Sequence, residues 1–257
     1  MIKILHRKAN KKLDRKVFIP KIMFSLLFAC ALIILSKTKL TPIFGTDSKL
    51  SAAAIFGPVI SSVIGVVPGS ATIIFAQLVG YLIGFYSIKS VVSLLTFAPI
   101  LFGGIYFARH LKGGVRLMVL PAACIVAFLL HPIGRSVWFY SLFWTIPILV
   151  TYFKPSIDHK LRKVTKHYEI ISVLLAGLAA TFIDHSVGSI IYLYFYNIEA
   201  KFWIMAIPFT VVERLFLGFG IGATYLGIRA ALKVMRKSSI AILIPVEQKV
   251  EVGIKNK

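Results

Sequence analysis

Residues 171–197 have the sequence ISVLLAGLAATFIDHSVGSIIYLYFYN, and residues 202–232 have the sequence FWIMAIPFTVVERLFLGFGIGATYLGIRAAL. Each segment is long and apolar enough to cross a bilayer as a helix. Each nevertheless carries charge near its centre, Asp184 in the first and the neighbours Glu213 and Arg214 in the second. A charged side chain at the centre of a span costs about 2.5–3.5 kcal/mol on insertion scales, so such groups usually face a partner or a watery cavity. The two segments therefore predict a membrane bundle built around a polar interior.

The composition of the whole chain indicates an integral membrane protein. Of its 257 residues, 58% are hydrophobic and 15% are charged, and the mean hydropathy is +0.86. Residues 50–88 contain no Asp, Glu, Lys, Arg or His. As one helix this stretch would be about 58 Å long, roughly twice the hydrocarbon thickness, so it must fold back. We predict a Gly/Pro hairpin at 51–88 that turns at Pro68-Gly69-Ser70, either as two spans or as a re-entrant pair.

The net charge of +21 is distributed in a way that argues against nucleic-acid binding. The basic residues collect in the gaps between apolar runs, mainly at 1–16, 109–116, 154–169 and 229–237. Cytoplasmic loops of membrane proteins carry this excess of Lys and Arg, which also attracts anionic lipid headgroups. The pattern predicts that both the N- and the C-terminus are cytoplasmic. The lysines of the connection at 37–50 are an exception, since this topology places them outside.

We divide the chain into a basic cytoplasmic leader at 1–16, a transmembrane helical domain at 17–235 and a cytoplasmic tail at 236–257. The predicted fold class is all-α, a polytopic transmembrane helical bundle with six to eight spans in the cell membrane. The apolar segments are 17–36, 51–67, 71–88, 91–108, 117–131, 137–153, 170–197 and 202–232. Aromatic residues at the ends opposite the basic clusters suggest an interfacial belt of Trp138, Tyr140, Tyr192, Tyr194, Tyr196 and Trp203.

The central charges are the candidate site. Asp184 shares a helical face with the small or polar residues Gly177, Ala180, Thr181 and Gly188. Asp184 and Arg214 lie at similar depths, about 16–20 Å from the connection at 197–201, so an ion pair between them is geometrically reasonable. Such a pair either belongs to a substrate or ion site or only fixes the register of two helices. Because Glu213 and Arg214 are about 100° apart around a helix, we expect them not to face one point.

The remaining polar groups in apolar segments give weaker signals. His185 is expected to point away from Asp184. Gln77 is alone in an uncharged hairpin, where it either forms a hydrogen bond across helices or lines a cavity. The chain lacks a GxxxxGK[ST] phosphate loop, a Gly-x-Ser-x-Gly elbow and metal-ligand spacing. We therefore predict no catalytic residue, no metal site and no cofactor, and we expect the chain not to be an enzyme.

The architecture resembles a known family. A basic N-terminus precedes a first span, the Gly/Pro hairpin begins FGPVISSVIG at residues 56–65, and a Gly-rich last span leads into a basic tail. Over residues 17–233 this pattern resembles the substrate-binding S components of energy-coupling factor (ECF) transporters, which are small all-helical membrane proteins with cytoplasmic termini.

The resemblance implies that the chain recognises a vitamin or another micronutrient for uptake. A separate transmembrane T component and two ATPase subunits would then supply the energy. The implied pocket residues are Asp184, Glu213, Arg214, Tyr192 and Trp203, to which the sequence adds Gln77. A few polar groups in an apolar pocket would fix the orientation of the ligand.

Two other functions stay open. A structural or lipid-interacting membrane protein would have a packed interior, without a cavity between the charged pair of segments and the 51–88 hairpin. A membrane-embedded enzyme would need a second catalytic group within reach of Asp184 or Glu213.

Overall fold

The computed structural model describes residues 22–43, 45–46, 49–88, 91–112, 115–165 and 167–237. The leader predicted at 1–16 lies outside these residues, as does nearly all of the tail predicted at 236–257.

Helices form most of the described chain. The first half contains α1 (Ile22–Leu35), strands β1 (Lys39–Pro42) and β2 (Lys49–Ser51), α2 (Ala53–Ile64), α3 (Val66–Leu82), α4 (Val91–Leu95) and α5 (Phe97–His110). The second half contains a 3₁₀ helix at Val115–Met118, α6 (Val119–Leu130), α7 (Pro132–Ser136), a 3₁₀ helix at Trp138–Trp144, α8 (Thr145–Val164), α9 (Tyr168–Tyr196) and α10 (Ala200–Lys237).

The helices have the apolar character that suits a membrane protein. Within the described ranges, three helical stretches are long and apolar enough to cross a bilayer, namely Val91–His110, Tyr168–Tyr196 and Ala200–Met235. Shorter apolar helices lie at Ile22–Leu35, Ala53–Ile64, Val66–Leu82 and Arg116–Leu130. The all-α prediction is confirmed, with one short β-hairpin added to it. The predicted number of six to eight spans stays a prediction.

Helix α9 is the central element of the bundle. Its neighbours include α5, α8 and α10, and buried residues occur on all sides of it from Val173 to Leu193. A helix that is apolar all round is expected to be buried. The small residues near Asp184 belong to this buried surface, since Ala176, Ala179 and Ala180 have no exposed surface.

Glycines bring the backbones of α9 and α10 into contact. A Cβ added to Gly177 would lie 2.5 Å from the carbonyl oxygen of Gly218. A Cβ added to Gly218 would lie 2.6 Å from the Cα of Leu178. Small residues at helix contacts allow this close approach, which supplies van der Waals contacts where lipid removes the hydrophobic driving force. The two segments with central charges therefore form one tightly packed antiparallel pair.

The turn of the 51–88 hairpin lies earlier than the sequence predicted. The break between α2 and α3 is at Gly65, with φ 103° and ψ 157°, and not at Pro68-Gly69-Ser70. Only glycine adopts this backbone conformation without strain. Pro68 instead lies in the first turn of α3. Backbone N–H groups of a first turn have no acceptor within the helix, so a proline there loses no helical hydrogen bond.

The predicted loop at 37–50 contains the β-hairpin, in which β1 pairs antiparallel with β2. Its turn packs on the connection between α9 and α10, because a Cβ added to Gly45 would lie 2.9 Å from Ile198 Cγ2. We call this end of the bundle, with residues 37–43, 45–46, 49–51 and 197–199, the hairpin end. The opposite end carries the basic clusters and is called the basic end, where Arg229 and Glu169 form an ion pair of 3.6 Å.

The region from residue 137 to residue 169 differs from the predicted span and basic loop. Residues 138–144 form a 3₁₀ helix, and α8 then continues as helix to Val164. The basic residues that follow position 153 therefore belong mostly to a helix. An ion pair of 2.5 Å between Lys154 and Asp158, one helical turn apart, supports the helical conformation there.

The residues predicted to form an aromatic belt differ in exposure. Trp138, Tyr194 and Tyr196 are exposed, and the belt itself stays a prediction. Tyr140 and Trp203 are instead buried in an aromatic cluster, with their ring centroids 5.0 Å apart. Their position has a physical reason, since each makes a polar contact inside the bundle: Trp203 Nε1 donates to the Ile198 carbonyl at 3.0 Å.

Candidate functional site

A cavity of about 600 Å³ lies between the α9–α10 pair and the 51–88 hairpin. Its walls come from α2, α3, α5, α9 and α10, together with the β-hairpin and α4. It extends from exposed lysines at the hairpin end to buried charges halfway along α9. A volume of this size is typical of sites for small organic ligands.

The six residues that the sequence singled out all line this cavity, although they come from three helices. They are Gln77 on α3, Asp184 and Tyr192 on α9, and Trp203, Glu213 and Arg214 on α10. Their shared position is a finding of the structure. That they bind a substrate stays a prediction.

The charged cluster at the deep end is centred on Arg214. Its Nη2 donates to Glu213 Oε1 at 2.6 Å, and its Nη1 lies 3.4 Å from Asp184 Oδ2 and 3.3 Å from the Thr181 carbonyl. The predicted ion pair of Asp184 with Arg214 is therefore present. Its distance is longer than the 2.7–2.9 Å typical of a charge-assisted hydrogen bond, so Arg214 is held more closely by Glu213.

The expectation that Glu213 and Arg214 face different directions is wrong. Both line the cavity, and they form the shorter of the two ion pairs. The 100° between their Cα–Cβ bonds is correct for a helix, but a guanidinium at the end of a long flexible side chain can bend back to its neighbour. Two carboxylates thus share one guanidinium in a buried site, where the exposed fractions of the Asp184 and Arg214 side chains are 5% and 8%.

A second polar network adjoins these charges, and the sequence did not predict it. His185 lines the same cavity as Asp184 and does not point away from it. Trp144 Nε1 donates to His185 Nδ1 at 3.3 Å, and His185 Nε2 lies 3.0 Å from the Tyr140 hydroxyl. The Tyr140 hydroxyl also lies 3.1 Å from Thr210 Oγ1.

The directions of these hydrogen bonds follow from which groups can donate and which can accept. An indole N–H can only donate, so Nδ1 of His185 must be the accepting nitrogen. A neutral imidazole then carries its proton on Nε2, which donates to Tyr140, and Tyr140 donates to Thr210. The network orders the wall of the cavity next to the charges. It occupies both ring nitrogens of His185, so this histidine is not an available base for Asp184.

The remaining predicted site residues are held by different contacts. Gln77 Nε2 donates to Thr96 Oγ1 at 3.2 Å, which joins α3 to the segment between α4 and α5. Gln77 therefore does both of the things that the sequence offered as alternatives: it forms a hydrogen bond across helices and it lines the cavity. Tyr192 stacks on Tyr196, with ring centroids 5.4 Å apart.

The lysines that did not fit the predicted topology line the hairpin end of the cavity. They are Lys37, Lys39 and Lys49. Lys37 Nζ donates to the Phe85 carbonyl at 2.7 Å, and Lys39 Nζ donates to the Ser36 carbonyl at 2.9 Å. Burial, and to a smaller extent the charge of Lys37, lowers the pKa of Lys39. We call these three residues the mouth lysines.

The arrangement is suited to recognition by charge and shape. The charged side chains of the cavity stand at its two ends, and apolar and aromatic residues form much of the wall between them. Within the part of the chain that the structure describes, no group of three or more His, Cys, Asp or Glu side chains could hold a metal ion. Arg214 Nε is buried and has no partner among the same residues.

Compared with protein-family models, with curated proteins and with solved structures, the chain matches none of them.

Proposed function

We propose that the chain is a membrane protein that binds a small organic molecule for uptake, in the manner of the substrate-binding subunit of an ECF-type transporter. The observation that carries the proposal is the single cavity of about 600 Å³ lined by all six candidate residues. Charged groups are expensive to bury in a membrane protein and usually serve a substrate or ion pathway.

The proposal is favoured over a purely structural role for the charged pair. A pair that only fixed helix register would be expected in solid packing. Asp184 and Arg214 instead stand beside an internal space, and Ala53, Ala54 and Ala76 of the 51–88 hairpin form part of its opposite wall. A lipid-interacting or structural protein remains the first alternative.

A membrane-embedded enzyme is the second alternative. Such an enzyme needs a base or a second acid that is free to act on a substrate. Arg214 contacts both carboxylates of the cluster, and the ring nitrogens of His185 are occupied by Trp144 and Tyr140. These contacts favour binding over chemistry, and we propose that the chain is not an enzyme.

The proposal includes a topology and partners. The basic end would face the cytoplasm and the hairpin end would face outward, so that a ligand enters from outside through the mouth lysines. Since the sequence has no phosphate loop, the energy for uptake would come from separate ATPase subunits through a T component.

The proposal is tested by asking whether the cavity retains a small molecule. The full chain, purified in mild detergent from cells that express it, would be denatured, and the released compounds would be identified by mass spectrometry. Gly188→Phe would fill the cavity, because the Cβ position of Gly188 meets only Pro99 at ordinary contact distance and the side chain would extend inward.

The matched control is Gly227→Phe on α10, where an added Cβ meets no atom within 4 Å. We expect a compound that accompanies the unmodified chain and the control but not Gly188→Phe. If all three preparations release the same compounds, or none, the cavity is not a binding site and the proposal fails.

A further inference from the structure

The carboxylates and the lysines that line the cavity lie at its opposite ends. Among the described residues, the acidic ones that line the cavity are Asp184 and Glu213, both at the deep end, and the lysines that line it are Lys37, Lys39 and Lys49 at the mouth. Such a separation gives a ligand different electrostatic surroundings at its two ends.

At the deep end the carboxylates outnumber the cations. Among the described residues Arg214 is the one guanidinium that lines the cavity, and its close contact of 2.6 Å is made with Glu213. Asp184 lies 3.4 Å from the same guanidinium, and its side chain is 5% exposed. A buried carboxylate is costly unless it is paired and hydrogen-bonded. Asp184 is therefore the group that gains most from a cation in the cavity.

Among the described residues that line the mouth, the charged side chains are lysines. Lys37 and Lys39 donate to backbone carbonyls, which carry no full negative charge. Lys37 also lies over the ring of Phe85, with Nζ 4.3 Å from the centroid. An ammonium so placed gains more from an anion than from a neutral oxygen. The mouth is thus suited to a carboxylate or a phosphate.

Between the two ends, apolar and aromatic residues form much of the wall. Phe97, Phe202 and Trp203 contribute rings to it, and Ile73 and Ala76 contribute aliphatic surface. The lining residues Asp184 and Tyr192 of α9 are eight positions apart, a span of about 12 Å along a helix. A molecule with one aromatic ring and a charged group at each end has about this length.

We propose that the ligand is an amphoteric aromatic molecule, with a cationic nitrogen bound at Asp184 and an anionic group bound by the mouth lysines. This inference rests on the proposed function and adds the chemical class of the substrate. An anion without the cationic nitrogen would leave Asp184 uncompensated. A cation without the anionic group would be repelled at the mouth.

The test uses four probes that share one para-substituted ring and differ in whether they carry the ammonium group, the phosphate group, both or neither. O-phosphotyramine carries both charges, tyramine carries the cation, 4-ethylphenyl phosphate carries the anion, and 4-ethylphenol carries neither. Binding to the full chain in lipid nanodiscs would be measured by isothermal titration calorimetry at neutral pH. We expect O-phosphotyramine to bind about tenfold or more tightly than either singly charged probe, since each charged contact contributes a hydrogen bond to an ion.

Two variants separate the ends. Asp184→Asn should remove the advantage of O-phosphotyramine over 4-ethylphenyl phosphate, and Lys37→Gln with Lys39→Gln should remove its advantage over tyramine. The lysine pair is exposed, so this variant keeps the test valid even if Asp184→Asn folds poorly. Lys160→Gln, at the basic end and outside the cavity, is the matched charge control and should change neither ratio.

Each result decides the inference. Tighter or equal binding of tyramine, 4-ethylphenyl phosphate or 4-ethylphenol overturns it, as does an unchanged ratio in both variants. Suppose that no probe binds, but a compound is still released from the unmodified chain and not from Gly188→Phe. The inference then fails and the proposed function stands. If no probe binds and no compound is retained, both fail.

Discussion

Arg214 has an unusual electrostatic position, because one guanidinium faces two carboxylates in a buried site. Breaking a buried ion pair is more costly than replacing the whole pair, since the partner is left as an uncompensated charge. This asymmetry gives a direct test of whether the cluster is ionised in the folded chain.

We expect Arg214→Gln to destabilise the chain by about 3–5 kcal/mol, because Asp184 and Glu213 would then be buried without a counter-ion. Thermal unfolding in detergent, followed by tryptophan fluorescence, would measure the loss. The triple variant with Asp184→Asn and Glu213→Gln should recover most of it, since no buried charge remains. An Arg214→Gln variant as stable as the unmodified chain would contradict an ionised cluster.

Tyr140→Phe tests the neighbouring hydrogen-bond network. The change removes the acceptor of His185 Nε2–H and the donor to Thr210, and leaving such groups buried without a partner costs about 1–3 kcal/mol each. Thermal unfolding would measure the loss of stability. Tyr152→Phe is the control, because Tyr152 is 66% exposed. Equal unfolding temperatures for the two variants would show that the Tyr140 hydroxyl contributes nothing.

At the scale of elements, the contact between α9 and α10 depends on glycine. The positions at which a side chain would strike the opposite backbone are Gly177 and Gly218. A side chain at position 218 would collide with the Cα of Leu178. Because this is a main-chain atom, the collision cannot be relieved by a change of side-chain rotamer. Any side chain here must push the helices apart.

Gly218→Leu should therefore destabilise the chain by about 1–3 kcal/mol or more, as overpacking of a close contact does. Separation of the helices would also move Arg214 away from Thr181, so we expect weaker ligand retention with it. Thermal unfolding and mass spectrometry of the released compounds would measure both effects. Gly227→Leu, on the same helix and facing open space, should have neither. A Gly218→Leu variant that matches this control would argue against the close contact.

The candidate site was more predictable from sequence than the elements around it. Asp184 and Arg214 stand out because charge inside an apolar segment is costly wherever the helix packs. Tyr140 and Thr210 gave no comparable signal, since a tyrosine or threonine in an apolar segment can be placed in many environments at little cost in free energy. The break at Gly65 was missed because Pro68 is the stronger local turn signal, and only the backbone shows that it is tolerated in a first helical turn.

At the scale of the whole molecule, the charges divide the bundle into a basic end and a hairpin end. The proposed orientation can be tested with single cysteines in a Cys30→Ser, Cys124→Ala background. A membrane-impermeant maleimide added to intact cells should label Glu199→Cys, at the hairpin end, but not Lys160→Cys. Lysed cells supply the control, because both positions should then react. Labelling of only Lys160→Cys in intact cells would reverse the orientation.

The backbone contact at Gly177 and Gly218 has a consequence for motion. Two helices without side chains between them have little freedom to slide or separate, so the α9–α10 face of the cavity is expected to be stiff. Displacements that admit a ligand would then fall on other parts of the cavity wall, such as the β-hairpin at its mouth. Amide hydrogens of residues 174–184 and 214–222 should be the slowest to exchange with deuterated solvent, and those of the strand residues 39–41 and 49–51 should be among the fastest.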